Sequence, residues 1–366
     1  MNIHFAGADL YKGFNLVSNI VPSLAMKQIL KGVKLEAVDN SVELTASDLE
    51  VLVKYKIPVK QCTGEGGIVL PAGRVNNILR EWIDSEDVSL SIEEGCCTLK
   101  SKCGYFKILG EDFRQFPEIS KDNLTDFVEI DGDVITKMID HVAYAVSTIK
   151  TRNRFCGIFT KIYADDIVMV GADGNRLSLI KRKVKNTQNI TMEGIVSIKC
   201  FKFLQRFISE NKGGIVRVSM DDSRICFMGD RGEVISQLIE GQYPNYEEFI
   251  PTQNDKKVEA DREEFSSIVK MASFVNNEEE RVIKMSLKKG KLQLLSETAD
   301  IGEAHLEITV SYDGPDFLGN FNPDYLLDAL KASDSDTVLM ELGDPGSAAL
   351  LRTGHEQLCV MMPIEF

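Results

Sequence analysis

Four histidines, eight cysteines and a recurring set of aspartates are the residues of this 366-residue chain whose types could do chemistry. His4, His141, His305 and His355 lie far apart in sequence, and none adjoins a serine or cysteine in a nucleophile-elbow context. Cys62, Cys96, Cys97, Cys103, Cys156, Cys200, Cys226 and Cys359 include no CxxC pair and have no histidine at metal-ligand spacing. Most sit in apolar, strand-like runs such as Arg224-Ile225-Cys226-Phe227-Met228, so they read as small reduced core residues. A GxxxxGK[ST] phosphate loop, a GxGxxG after a strand and an HExxH motif are all lacking. Asp48 and Asp173 could be metal ligands of an enzyme acting on nucleic acid. Together with Asp300, however, they recur at a spacing of about 125 residues, so a turn or capping role is the stronger expectation. The chain is therefore expected to be non-enzymatic, with no cofactor and no metal.

Binding is the remaining chemistry, and the basic residues are its candidates. Net charge is −14, which taken alone argues against nucleic acid, because phosphate binding needs Lys and Arg. An acidic exterior with one basic stripe gives the same total. Lys12, Lys137 and Lys270 lie off the apolar stripes of predicted helices. Arg74 and Arg80 flank Asn77, and Lys199, Lys202 and Arg206 recur at three- and four-residue spacing around Gln205, so they share a helix face. Lys150, Arg152 and Arg154 form a basic segment, and the second helix of the third repeat offers only Lys331. Such faces would attract a DNA backbone without reading its sequence. Glu278-Glu279-Glu280 reads as a solvated loop.

The elements that must position these groups repeat three times with a period of about 125 residues. Each copy is expected to run helix, strand pair, helix, strand pair and tail. Leu10, Phe14, Val17 and Val21 make one apolar stripe; Ile135, Met138, Ile139, Val142 and Val146 the second; Phe265, Ile268, Val269, Ala272 and Val275 the third. Second helices follow at Val75-Ile78-Leu79-Trp82, Phe203-Leu204-Phe207-Ile208 and Tyr325-Leu326-Ala329-Leu330. Strands are expected over 51–55, 177–180 and 305–310. Polar linkers, including Asp122-Asn123, place domain boundaries near 125 and 253, giving domains 1–125, 126–253 and 254–366. No apolar run reaches the roughly 18 residues that span a bilayer, and Met1-Asn2-Ile3-His4-Phe5 is unlike a signal peptide, so a cytoplasmic protein with no membrane partner is expected.

Four motifs in order within this repeat resemble the bacterial sliding clamps, the β subunits of DNA polymerase III. They are Val69-Leu70-Pro71-Ala72, Gly171-Ala172-Asp173-Gly174-Asn175-Arg176-Leu177-Ser178, Gly241-Gln242-Tyr243-Pro244-Asn245-Tyr246 and Val360-Met361-Met362-Pro363-Ile364-Glu365-Phe366. The resemblance covers the whole chain. It implies an α+β fold of three repeated clamp domains, closed into a ring as a head-to-tail homodimer with helices lining the hole. It further implies a processivity factor that encircles double-stranded DNA and tethers the DNA polymerase III catalytic subunit, the clamp loader and other proteins carrying a clamp-binding motif. The implied partner-peptide groove comprises Phe155, Ala172, Gly174, Asn175, Arg176, Leu177, Pro244, Phe249, Val360, Met361, Met362, Pro363 and Ile364. Tyr105, Phe106 and Ile108 resemble one side of the dimer seam, and Phe274 and Val275 the other. The sequence departs from the family at Ala172 (usually Thr), at Glu248 (Arg in some members) and near Leu24, where Lys27 stands in for an Arg that faces DNA. The competing reading is a divergent clamp paralogue acting as a monomeric peptide-binding module.

Overall fold

The apolar stripes become the buried faces of α-helices. The computed structural model describes every residue except 40, 122–123, 150–153, 212, 278–280 and 366, so Lys150, Arg152, Asp122-Asn123, Glu278-Glu279-Glu280 and Phe366 lie outside the described residues. The helices are α1 (Gly7–Ser18), α2 (Ala72–Glu81), α3 (Gly132–Ala143), α4 (Ile198–Glu210), α5 (Arg262–Ala272) and α6 (Pro323–Lys331). Leu10, Phe14 and Val17 of α1 are buried, as are Ile135, Met138, Ile139 and Val142 of α3 and Phe265, Ile268, Val269 and Ala272 of α5. Val21, Val146 and Val275 lie beyond the helix ends. Local chemistry starts several helices. Asp131 Oδ1 accepts from Asp133 N and Val134 N ahead of α3, Asp261 Oδ1 accepts from Glu264 N in α5, and Asn322 Oδ1 accepts from Asp324 N beside Pro323 in α6.

Each repeat carries more strands than the expected pairs. The first holds β1 (Asn2–Phe5), β2 (Gly32–Val38), β3 (Ser41–Ser47), β4 (Val51–Pro58), β5 (Gln61–Thr63), β6 (Gly67–Pro71), β7 (Val88–Glu93), β8 (Cys96–Ser101) and β9 (Gly104–Leu109). The second holds β10 (Val128–Asp131), β11 (Gly157–Tyr163), β12 (Asp166–Ala172), β13 (Arg176–Lys183), β14 (Met192–Ser197), β15 (Ile215–Met220), β16 (Arg224–Gly229) and β17 (Gly232–Gln237). The third holds β18 (Lys256–Asp261), β19 (Ile283–Lys288), β20 (Lys291–Thr298), β21 (Gly302–Thr309), β22 (Phe317–Phe321), β23 (Thr337–Leu342), β24 (Ala349–Gly354) and β25 (Gln357–Met361). Five strands lie between the two helices of the first repeat and four between those of the second and third, and three follow the second helix of every repeat, where pairs were expected.

The chain forms two compact units that cut across the repeats. One comprises residues 1–136, 185–192 and 199–238. It contains a five-stranded sheet, β5-β1-β7-β8-β9, and an eight-stranded sheet, β10-β15-β16-β17-β4-β3-β2-β6. The other comprises residues 137–184, 193–198 and 239–366. Its sheets are β14-β11-β12-β13-β25-β24-β23-β18 and β21-β20-β19-β22. Each eight-stranded sheet joins strands of two repeats. In the first unit β17 pairs antiparallel with β4, Val234 opposite Val53, and the Glu233 carboxylate lies 3.6 Å from Lys54 and 2.7 Å from Lys121. In the second unit β25 pairs antiparallel with β13, Val360 opposite Leu177. A last strand of one repeat thus meets the fourth strand of another at both junctions.

The aspartate corners are turns. Asp48 Oδ1 accepts from Glu50 N and Val51 N, and Asp173 Oδ1 accepts from Asn175 N and Arg176 N. Asp300 lies in the turn between β20 and β21. A carboxylate that closes its own turn caps backbone donors.

Candidate functional site

The turn between β12 and β13 builds the floor of an apolar groove. Gly174 takes φ +98°, a conformation that favours glycine, and the Asp173 side chain ties the turn from within. The turn presents Ala172, Asn175 and Leu177. Strand β25 lies beside them, and period-2 alternation sends Val360 and Met362 to the groove face.

Aromatic stacking makes the opposite wall. Tyr243 stacks on Phe159 with centroids 5.1 Å apart and meets Phe155 edge-on at 5.9 Å. Tyr246 tilts against Phe159 at 5.9 Å. Burial raises the Tyr243 pKa, so the phenol stays protonated, and its oxygen is buried with no hydrogen-bond partner. The Arg154 guanidinium donates to Gln242 O at 3.2 Å, which anchors the segment leading to this wall. Asn245 donates to the Glu248 carboxylate at 2.8 Å, so the acidic residue at this departure holds a 3-10 turn, Tyr246–Phe249. The chain end forms the rim: Met362 N donates to Asn175 O and Ile364 N to Asn320 O, both at 2.9 Å.

The groove brings together Phe155, Ala172, Gly174, Asn175, Arg176, Leu177, Pro244, Phe249, Val360 and Met362, and adds Tyr243 and Tyr246, which the sequence reading omitted. Phe249 and Met362 are about half exposed, at 56% and 47%, as an open rim requires. Three expected members are absent from its lining. Met361 is only 1% exposed and packs in the core beneath, because its side chain alternates to the other face of β25. Pro363 does not line the groove, and Ile364 borders a neighbouring polar cleft with Asn276, Lys284, Asn320 and Glu365. An apolar, partly preformed groove with a methionine rim suits Leu- or Phe-bearing peptides.

The basic residues are distributed less evenly than the repeat suggested. Lys12 on α1, Arg74 and Arg80 on α2, Lys137 on α3, and Lys202 and Arg206 on α4 are exposed. Arg206 Nη1 donates to Asn19 Oδ1 at 2.6 Å, at the end of α1. Lys199 pairs with the Asp48 carboxylate, which compensates its charge. Arg154 is engaged with Gln242 O, beside the groove wall and outside its lining. Lys27 is exposed beside Leu24 and Met26, whose side chains stand 88% exposed and fully exposed.

Of the expected seam residues, Tyr105, Phe106 and Ile108 lie on β9, an edge strand in which Leu109 is also 82% exposed. Phe106 packs on Trp82 at 5.5 Å. Phe274 and Val275 occupy a 3-10 turn after α5, with Phe274 exposed. No helix among the described residues is long and apolar enough to cross a membrane.

Repeated α+β units sharing antiparallel sheets, with an apolar peptide-sized groove at a sheet junction, define a sliding clamp. Comparison with known proteins narrows the class. Profiles of the DNA polymerase III beta subunit match its N-terminal domain at residues 1–120, its central domain at 129–245 and its C-terminal domain at 247–365. The beta sliding clamp of Chlamydia muridarum is 25% identical, over 95% of this chain and 94% of that protein. That of Staphylococcus aureus is 29% identical, over 86% and 85%. The crystal structure of the DNA polymerase III subunit beta from Pseudomonas aeruginosa superposes with a TM-score of 0.95 at 24% identity, covering 100% of both chains. The sliding clamp of Bartonella birtlesii bound to griselimycin does so with a TM-score of 0.92 at 27% identity, again over 100% of both. The chain belongs to the DNA polymerase III beta subunit family.

Proposed function

We propose that two copies of this chain close head to tail into a ring around duplex DNA, and that the ring tethers a polymerase as its processivity factor. Strand pairing carries this reading. Strand β17, the last of repeat two, pairs with β4, the fourth of repeat one; β25, the last of repeat three, pairs with β13, the fourth of repeat two. Applied once more, the same rule leaves β9, the last of repeat one, and β21, the fourth of repeat three. Both are edge strands with mostly exposed residues. They are edges of separate sheets, and two chains related by a twofold axis would satisfy both edges. Charge supports the match: Lys102 and Lys107 flank or occupy β9, whereas Glu303 and Glu307 occupy β21.

Topological linkage lets the DNA-facing surface be weakly attractive, so that it slides. We assign that surface to Lys12, Arg74, Arg80, Lys137, Lys202 and Arg206, with Lys27 at a loop. The groove takes peptides of the DNA polymerase III catalytic subunit, the clamp loader and other clamp-binding proteins. The protein acts as a non-catalytic accessory subunit in the cytoplasm, with domain boundaries near 125 and 253. The experiment is retention on nicked circular DNA, with subunit mass by light scattering. The expected result is a dimer retained on circles and lost on linearisation. Equal retention on both defeats topological linkage. A strictly monomeric mass at micromolar concentration favours the peptide-binding module, which the apolar Leu24 and Met26 tips recommend.

A further inference from the structure

Among the described residues, Arg176 is the one charged residue lining the groove, yet its charge is fully engaged. Nε donates to Asp173 Oδ2 at 3.0 Å, Nη1 to Asp328 Oδ2 at 2.7 Å and Nη2 to Tyr144 O at 2.6 Å. The guanidinium lies over the Tyr325 ring at 4.4 Å. Its side chain is 11% exposed, against 41% for Asp328. Two carboxylates on one guanidinium leave this corner with a net negative charge. Burial alone would lower the Arg176 pKa; Asp328 and Asp173 outweigh it and hold the group above the ordinary arginine value.

An unpaired arginine in an apolar wall would bind a carboxylate strongly, because charge-assisted hydrogen bonds strengthen as water is excluded. Asp328 prevents this. We propose that Asp328, from α6, is a specificity-determining residue of the groove: by occupying Arg176 it makes the pocket select apolar side chains and refuse acidic ones. Asp328 acts through Arg176 and is a positioning residue. The inference rests on the groove being a peptide site.

The test uses the full chain and two fluorescein-labelled peptides, one with adjacent Leu and Phe and one with Glu in place of that Leu, read by fluorescence polarisation. In Asp328→Asn the Leu-Phe peptide should keep its affinity to within about twofold, while the ratio of the two affinities should narrow by about tenfold. Asp328→Glu should restore the wild-type ratio. In the unmutated protein, raising salt should narrow the ratio as well, because the refusal of Glu is electrostatic; this arm needs no variant to fold. An unchanged ratio in Asp328→Asn, or an equal shift in Asp328→Glu, overturns the proposal and leaves the groove assignment standing. Failure of the unmutated protein to bind either peptide overturns the groove assignment itself.

Discussion

The two sides of Met361 show what a residue-scale reading of the sequence can reach. Val360, Met361 and Met362 are adjacent and apolar, and the family resemblance implies all three in the groove; alternation along β25 places Met361 in the core instead. Tyr243 and Tyr246 stood in a recognised motif, Gly241-Gln242-Tyr243-Pro244-Asn245-Tyr246, but their ring stacking depends on Phe159, more than eighty residues away, and no local pattern reveals that partner. Cysteine burial was legible in part: most of the eight were expected in the core, and four are buried. Burial pushes the thiols of Cys97, Cys200 and Cys226 up to about 12 and that of Cys359 up to about 11, whereas Cys103 is exposed in the turn before β9. The thiolate is the reactive form, and a group of pKa 12 is ionised to only about one part in ten thousand at pH 8. Native protein treated with iodoacetamide at that pH should therefore be alkylated at Cys103 well before Cys97, Cys200, Cys226 or Cys359, as read by peptide mass spectrometry. Equal rates at Cys103 and Cys200 would contradict the packing described.

At the scale of elements, helix positions followed from periodicity because each helix buries one apolar face. Sheet sharing between repeats did not, since the partner of β4 lies in another repeat and strand pairing leaves no periodic trace of its partner. Close packing of α3 on β12 exposes one dependence on backbone shape. A Cβ on Gly171 would lie 2.3 Å from Val142 O, and a backbone carbonyl cannot swing aside. Gly171→Ala should thus force α3 away from β12 at a cost of about 1–3 kcal/mol, lowering the melting temperature by several degrees in circular dichroism. No change would mean that α3 is free to shift. The chain end is a separate element with a different role. Residues 362–364 reach from the Asn175 carbonyl to Asn320 without joining a main sheet, and Met362 among them rims the groove. Removing Met362 to Phe366 should abolish binding of the Leu-Phe peptide while leaving the dimer mass intact; unchanged affinity would mean that the rim contributes nothing.

For the whole molecule, the question is how a chain of net charge −14 attracts a polyanion. The helices differ in what they offer. α2 carries Arg74 and Arg80 against Glu81, and α4 carries Lys199, Lys202 and Arg206 against Glu210, whereas α3 and α6 carry more aspartates than lysines or arginines. The cationic contribution is thus concentrated on two helices of one unit and is not spread evenly over six. Within α4 the three cations are unequal, because Lys199 is engaged by Asp48, while Lys202 and Arg206 are exposed. Each phosphate neutralised releases condensed counterions and adds about 0.9 to the slope of log affinity against log salt. Changing Arg80, Lys202 and Arg206 together to Ala should weaken retention on nicked circles and flatten that slope by about one per lost phosphate contact. Lys199→Ala should flatten it less, since the Asp48 carboxylate already compensates that charge, and should instead lower thermal stability by leaving a mostly buried carboxylate without its partner. A triple variant with the wild-type slope would remove α2 and α4 from the DNA path. The ring could then stand on the β9 and β21 edges alone, but its charge pattern would need another explanation.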